Sequence, residues 1–297
     1  MSNELSIVNE TGKSIEEIMG FAPIKTSNAD FLPSISRLGM IHQPIMGEVE
    51  VNGKKIKTEV VPIGSFTLKM GDEIVYSTNV SIRVYLRRFQ WQRWNSETGE
   101  MEKSVMSDSL NGDLKDSIGG FNLGRPSGYI EDFNSLSDSL KQVIRSVKRV
   151  SILYGTVSFD NPTDENGEPV AIAVEDIPFV MDVKNRDSLK SINNIISKIQ
   201  KVNPKKKKIA VWNFIKLEGI EDSIPTGAKF GKIKASLGDP VEFTDENEML
   251  VRDFYELISY SNGKILDLHA ERMSIDDAAD AKLVNEIVSN DFVEVDE

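Results

Sequence analysis

Between Ser81 and Asn95 the chain reads SIRVYLRRFQWQRWN, with four arginines and four aromatic residues in fifteen positions and no carboxylate. In an extended strand, successive side chains point to opposite faces. Arg83, Tyr85, Arg87, Phe89, Trp91 and Arg93 then share one face, and Ile82, Val84, Leu86 and Arg88 share the other. A face of rings and guanidiniums can hold an unpaired nucleic-acid strand, with bases stacking on the rings and phosphates meeting the cations. A second stretch repeats the pattern. Lys205, Lys206, Lys207 and Lys208 lead into IAVWNFIKL, where Trp212 and Phe214 have the same parity. The same composition also suits a buried strand whose rings are covered by arginine stems.

Other site chemistry is thin. The absence of cysteine removes disulfides, thiolate zinc sites and cysteine nucleophiles. The two histidines, His42 and His269, have no serine or aspartate at a motif spacing, so both read as structural or surface residues. Gly119 and Gly124 match the glycines of a phosphate loop, but Arg125 and Pro126 stand where that loop needs Lys and Ser or Thr. The better reading is a flexible loop with Arg125 available to a phosphate. Asp160 to Gly167 departs from the calcium-loop spacing. Asp276, Asp277, Asp280 and Glu286 read as a solvated helix face, since a two-metal clamp needs carboxylates converging in a dry cavity. The expectation is a binding protein with no catalytic residue, metal or cofactor.

The formal charge of −12 is unevenly spread, for residues 265–297 hold ten acidic and two basic side chains. The body keeps three purely basic stretches: the aromatic strand, Lys141 to Arg149 (KQVIRSVKR) and Lys198 to Lys208 (KIQKVNPKKKK). Such a distribution is compatible with a polyanionic partner despite the acidic total. No apolar run approaches the roughly eighteen residues of a membrane span. The first residues lack the basic start and apolar core of a signal peptide. A cytoplasmic protein with no membrane partner is expected.

Punctuation and periodicity indicate the elements that must position these groups. Residues 1–46 read as a peripheral arm, with a capping box at Ser14 to Glu17 opening a short helix near 15–20. Asn52-Gly53 between EVEV and KIKTEVV is a hairpin signal. Turns at Met70 to Asp72 and Asn95 to Gly99 predict two more hairpins, the latter returning the aromatic strand along MEKSVMS. Residues 107–134 have no period and read as a long connection. Apolar spacing predicts helices over 135–149, 187–201 and 245–261, and strands over 150–159, 177–184, 208–218 and 229–237. The sum is an α+β protein, antiparallel and β-rich. An OB-like Greek-key barrel elaborated with flanking helices accounts for it economically, and a β-sandwich with helical additions is the alternative. The expected divisions are an arm at 1–46, an OB-like nucleic-acid-binding body at 47–262 with helical insertions, and an acidic C-terminal helix or tail at 263–297.

An aromatic-arginine strand, basic loops and an acidic end carrying Phe292 amid Asp291, Glu294, Asp296 and Glu297 complete the plan. In that plan, over residues 30–290, the chain resembles the single-stranded DNA-binding proteins of bacteriophages. It departs from them at the tip, where Val293 and Val295 follow Phe292. The resemblance implies sequence-independent binding of single-stranded DNA in replication or recombination, in the host cytoplasm. Tyr85, Phe89, Trp91 and Trp212 would stack bases, while Arg83, Arg87, Arg93 and Lys205 to Lys208 would contact phosphates. The acidic end would compete with DNA for the basic groove and recruit replication proteins through Asp291, Phe292, Glu294, Asp296 and Glu297. A second reading is a viral structural or assembly protein, with the aromatic strand buried against a neighbouring subunit. Further copies of the chain are a compatible partner in either reading.

Overall fold

The computed structural model describes residues 35–51, 54–128, 130–202 and 210–291. The helix expected near 15–20, the Asn52-Gly53 turn, Lys205 to Lys208 and Phe292 to Glu297 lie outside the described residues. The strands are β1 (Ser36–Arg37), β2 (Gly39–Met40), β3 (Ile45–Val51), β4 (Lys54–Val61), β5 (Phe66–Met70) and β6 (Glu73–Ser77). They continue with β7 (Asn79–Asn95), β8 (Glu100–Lys103), β9 (Lys148–Phe159), β10 (Ile177–Val183), β11 (Asn213–Ser223) and β12 (Lys229–Pro240). The helices are α1 (Asp138–Ser146), α2 (Arg186–Val202) and α3 (Asp245–Asp291). Two compact units result, one built from 35–88 and 150–257, the other from 89–149 and 258–291.

In the first unit the main sheet has the order β1-β10-β9-β7-β11-β12. The β10–β9, β11–β7 and β11–β12 pairs are antiparallel, and only two residues of β1 run parallel to β10. β2-β5-β6 and β3-β4 form smaller antiparallel sheets. The α+β class and its antiparallel character agree with the sequence reading. The barrel does not: among the described residues no sheet closes on itself, because β12 ends as an edge. An edge strand's free amides are a template for unwanted pairing. Here side chains occupy them. The amides of Gly231, Ile233 and Ala235 donate to His42 Nδ1, Ser188 Oγ and Ser191 Oγ at 3.0, 3.0 and 2.8 Å. His42 therefore has a structural role.

Both faces of β7 are covered in this unit. Val80, Ile82 and Val84 join Leu153, Phe179, Phe66 and Leu68 in one apolar cluster. Ile192, Ile195, Ile196 and Ile199, spaced for one face of α2, complete it. The opposite face meets Phe243 and the start of α3, where Phe254 is fully buried. β9 runs so close to β7 that a Cβ at Gly155 would lie 1.9 Å from the Arg83 carbonyl oxygen.

In the second unit β7 continues as a ribbon with β8, joined through the predicted Asn95 to Gly99 turn. Helix α1 ends earlier than its apolar spacing suggests. Val147 leaves the helix with φ −80° and ψ 115° and is buried beside Trp91 and Leu123, and the chain re-emerges as β9 at Lys148. Helix α3 does not stop at 261 but runs through Gly263. A mid-helix glycine costs about 1 kcal/mol relative to alanine. Asn262 offsets that cost, since its side chain accepts from the Met106 amide and donates to the Met106 carbonyl at 2.7 and 2.9 Å. Among the described residues no helix is long and apolar enough to cross a membrane.

Candidate nucleic-acid interface

The expected open platform on β7 is absent in the first unit. Arg83 and Tyr85 are 5% and 4% exposed. The Arg83 guanidinium donates to the Val211 carbonyl at 2.8 Å, to Asn247 Oδ1 at 2.8 Å and to the Glu242 carbonyl. It also lies 5.3 Å from the centre of the Tyr85 ring. Burial pushes this guanidinium below its ordinary pKa and the Tyr85 phenol above its own. Tyr85 packs on Phe243 and Phe254 with centroids 6.5 and 6.1 Å apart. Arg87 is half-buried and donates to Asn193 Oδ1. Trp212 is half-buried against Phe243, 5.9 Å away. Arg83 and Tyr85 therefore serve as core. The physical reason is a cover that lies far off in sequence, the segment around Phe243 and Phe254.

In the second unit the same parity gives a different result. Phe89 and Trp91 are each 7% exposed, and arginines cover both rings. Arg149 lies over Phe89 at 4.7 Å and Arg125 over Trp91 at 4.8 Å. The rings are two residues apart on one strand, a spacing of about 6.7 Å. Arg93, next on that face, is held by Glu102, with Nε at 2.6 Å from the carboxylate. It is therefore already neutralised. A third stack, Arg145 over Phe133 at 5.5 Å, lies near the end of α1.

Local chemistry fixes these guanidiniums. The buried Asp116 carboxylate accepts from the amides of Gly120 and Leu123 at 2.8 and 2.7 Å, tying down a loop whose glycines suggest flexibility. Asn122, Leu123 and Gly124 take φ of 54°, 56° and 78° there, a left-handed run that turns the chain so Arg125 faces Trp91. Leu123 is fully buried, which holds a side chain in a backbone region it would otherwise avoid. Two cations cap the carbonyls that end α1. Arg125 Nη1 donates to Ile144 at 3.1 Å, and Lys148 Nζ to Arg145 at 2.6 Å. Both suit the negative end of a helix. Burial pushes the Arg125 guanidinium below its ordinary pKa. Neither Arg125 Nε nor Trp91 Nε1 has an acceptor among the described residues.

Arg145, Lys148 and Arg149 are exposed, and among the described residues none of them forms an ion pair. Lys141 is the partly neutralised member, 3.5 Å from Asp138. Four of these cations come from the basic stretch Lys141 to Arg149. Its composition was legible, but its position over the aromatic strand was not. Trp94, 60% exposed on the opposite face of the β7–β8 ribbon, is a further ring available to solvent. Of the residues expected to bind partners, Asp291 closes α3, and Phe292, Glu294, Asp296 and Glu297 lie outside the described residues, as do Lys205, Lys206, Lys207 and Lys208. Comparison with protein-family models, known proteins and solved structures finds no match.

Proposed function

We propose that this protein binds single-stranded DNA without sequence preference, using the arginine-capped strand of its second unit. The observation carrying this reading is the pair of stacks on one strand face, Arg149 on Phe89 and Arg125 on Trp91. A guanidinium held over a ring can offer its outer side to a base or a phosphate, and Arg149, exposed and without an ion pair among the described residues, is the member best placed to do so. The ring also fixes the side chain beforehand, saving about 0.5–1.5 kcal/mol of ordering cost on binding. Arg145 and Lys148 extend the cationic track. Bases inside a duplex do not offer their faces, so this arrangement favours the unpaired strand. The resemblance to bacteriophage single-stranded DNA-binding proteins points the same way, and with it goes a role in replication or recombination. The acidic end would recruit partner proteins.

The test is a titration with labelled oligo-dT, read by anisotropy and tryptophan fluorescence at two salt concentrations, with duplex as control. Saturable binding that weakens with salt and is absent for the duplex is the expected result. Absence of binding at low salt overturns the proposal and moves an assembly protein to first place.

A further inference from the structure

We infer that the single strand, once past the arginine stacks, continues onto the opposite face of the β7–β8 ribbon, where Trp94 takes a base and Lys103 and Lys115 take phosphates. The inference rests on the proposed binding of single-stranded DNA and enlarges its site. Along β7, Phe89, Trp91 and Arg93 alternate with Gln90, Gln92 and Trp94, so the two sets lie on opposite faces. The register sets Gln92 opposite Lys103 and Trp94 opposite Met101. Beyond β8, Ser104 pairs with Asp116, which puts Ser117 opposite Lys103 and Lys115 opposite Val105. Trp94, Lys103 and Lys115 therefore share one face.

Charge and exposure select the occupant. Trp94 is 60% exposed, more than any other large apolar side chain among the described residues. Neither Lys103 nor Lys115 forms an ion pair among the described residues. The carboxylates of β8 stand on the other face, Glu100 opposite Asn95 and Glu102 opposite Arg93. Asp113, two positions from Lys115, is exposed and makes no ion pair with it. The ring is also held on a fixed strand. Gln92 donates to Gln90 at 2.9 Å and Gln90 to the Ser104 carbonyl at 2.7 Å, and both glutamines are buried. The first face offers no continuation toward the ribbon tip, since Arg93 is already held by Glu102. A polyanion leaving Trp91 in that direction meets carboxylates. The Trp94 face offers it a ring and two unpaired ammonium groups.

The test compares oligo-dT of about four and about sixteen nucleotides, the range of site sizes on single-strand platforms, using the full-length protein. Trp94→Ala should weaken binding of the longer oligomer about 5- to 150-fold and leave the shorter one, held by the arginine stacks, unchanged. Trp94→Phe keeps a stacking ring and should keep most of the affinity. It should lose most of the tryptophan quenching that the longer oligomer causes, since Trp91 is buried and Trp212 half-buried. Lys103→Gln combined with Lys115→Gln should make the salt slope for the longer oligomer shallower by about 1.4, and serves if Trp94→Ala loses its fold. A Trp94→Ala protein that binds both lengths as the wild type does, or that loses self-association in sedimentation instead of affinity, overturns the inference. The reading it rests on then still stands if Arg149→Gln weakens both lengths. No binding of either length by the wild type overturns both.

Discussion

Arg149→Gln separates an interface from a core. Arg149 is exposed, its guanidinium lies 4.7 Å from the Phe89 ring centre, and it forms no ion pair among the described residues. Losing an exposed cation–π contact costs about 0.5–1 kcal/mol, so the fold should survive with a small drop in Tm. If a base or phosphate sits on that guanidinium, removing it costs about 1–3 kcal/mol of binding, roughly 5- to 150-fold in Kd. The slope of log K against log salt should also become shallower by about 0.7, the share of one phosphate contact on a single strand. Anisotropy with labelled oligo-dT over a salt series measures both quantities, and thermal melting by circular dichroism measures stability. Arg83→Gln is the contrast. It leaves the buried Val211 carbonyl without its Arg83 donor, at about 1–3 kcal/mol, and removes the part-buried bonds to the Glu242 carbonyl and to Asn247, whose Oδ1 still accepts from the Thr244 amide. That variant should lose much stability, with the salt slope of its folded fraction unchanged. A folded Arg149→Gln protein with wild-type affinity and slope would refute the interface, and a reduced slope in Arg83→Gln would restore the face first read from the sequence.

Two further outcomes follow from the same geometry. Replacing Ser188 and Ser191 together by Ala should leave the Ile233 and Ala235 amides without acceptors, lowering stability by about 2–6 kcal/mol in urea denaturation. It should also promote aggregation through the uncovered β12 edge, and unchanged stability would remove the capping role. Burial pushes the Asp253 carboxyl above its ordinary pKa. Its ionisation therefore opposes folding at neutral pH, and that penalty declines as pH falls below the raised value and is gone below the ordinary carboxylate value. Asp253→Asn should raise Tm at neutral pH and give no gain in acid below the ordinary carboxylate range. A lower Tm at neutral pH would contradict this.

Local pattern alone determined much of this protein. The parity of β7, the hairpins around Met70 to Asp72 and Asn95 to Gly99, and the isoleucine stripe of α2 depend on neighbours close in sequence. Strand alternation and helical period report such neighbours directly. The basic content of Lys141 to Arg149 was equally plain. What pattern does not carry is which distant segment covers a given face. Phe243 and Phe254 turn Tyr85 into core, and Asn262, gripping the Met106 backbone, carries α3 through its glycine. The Asp116 loop likewise sets Arg125 over Trp91. The contacts of Tyr85 and of Asn262 each close more than a hundred residues of chain, and Arg125 reaches Trp91 across a shorter loop. Side chains far apart in sequence leave no periodic trace of meeting. The sequence by itself determined the strand and its alternating chemistry. Only tertiary structure decided that Phe89 and Trp91 lie beneath arginines and Tyr85 beneath other rings, while Trp94 faces solvent.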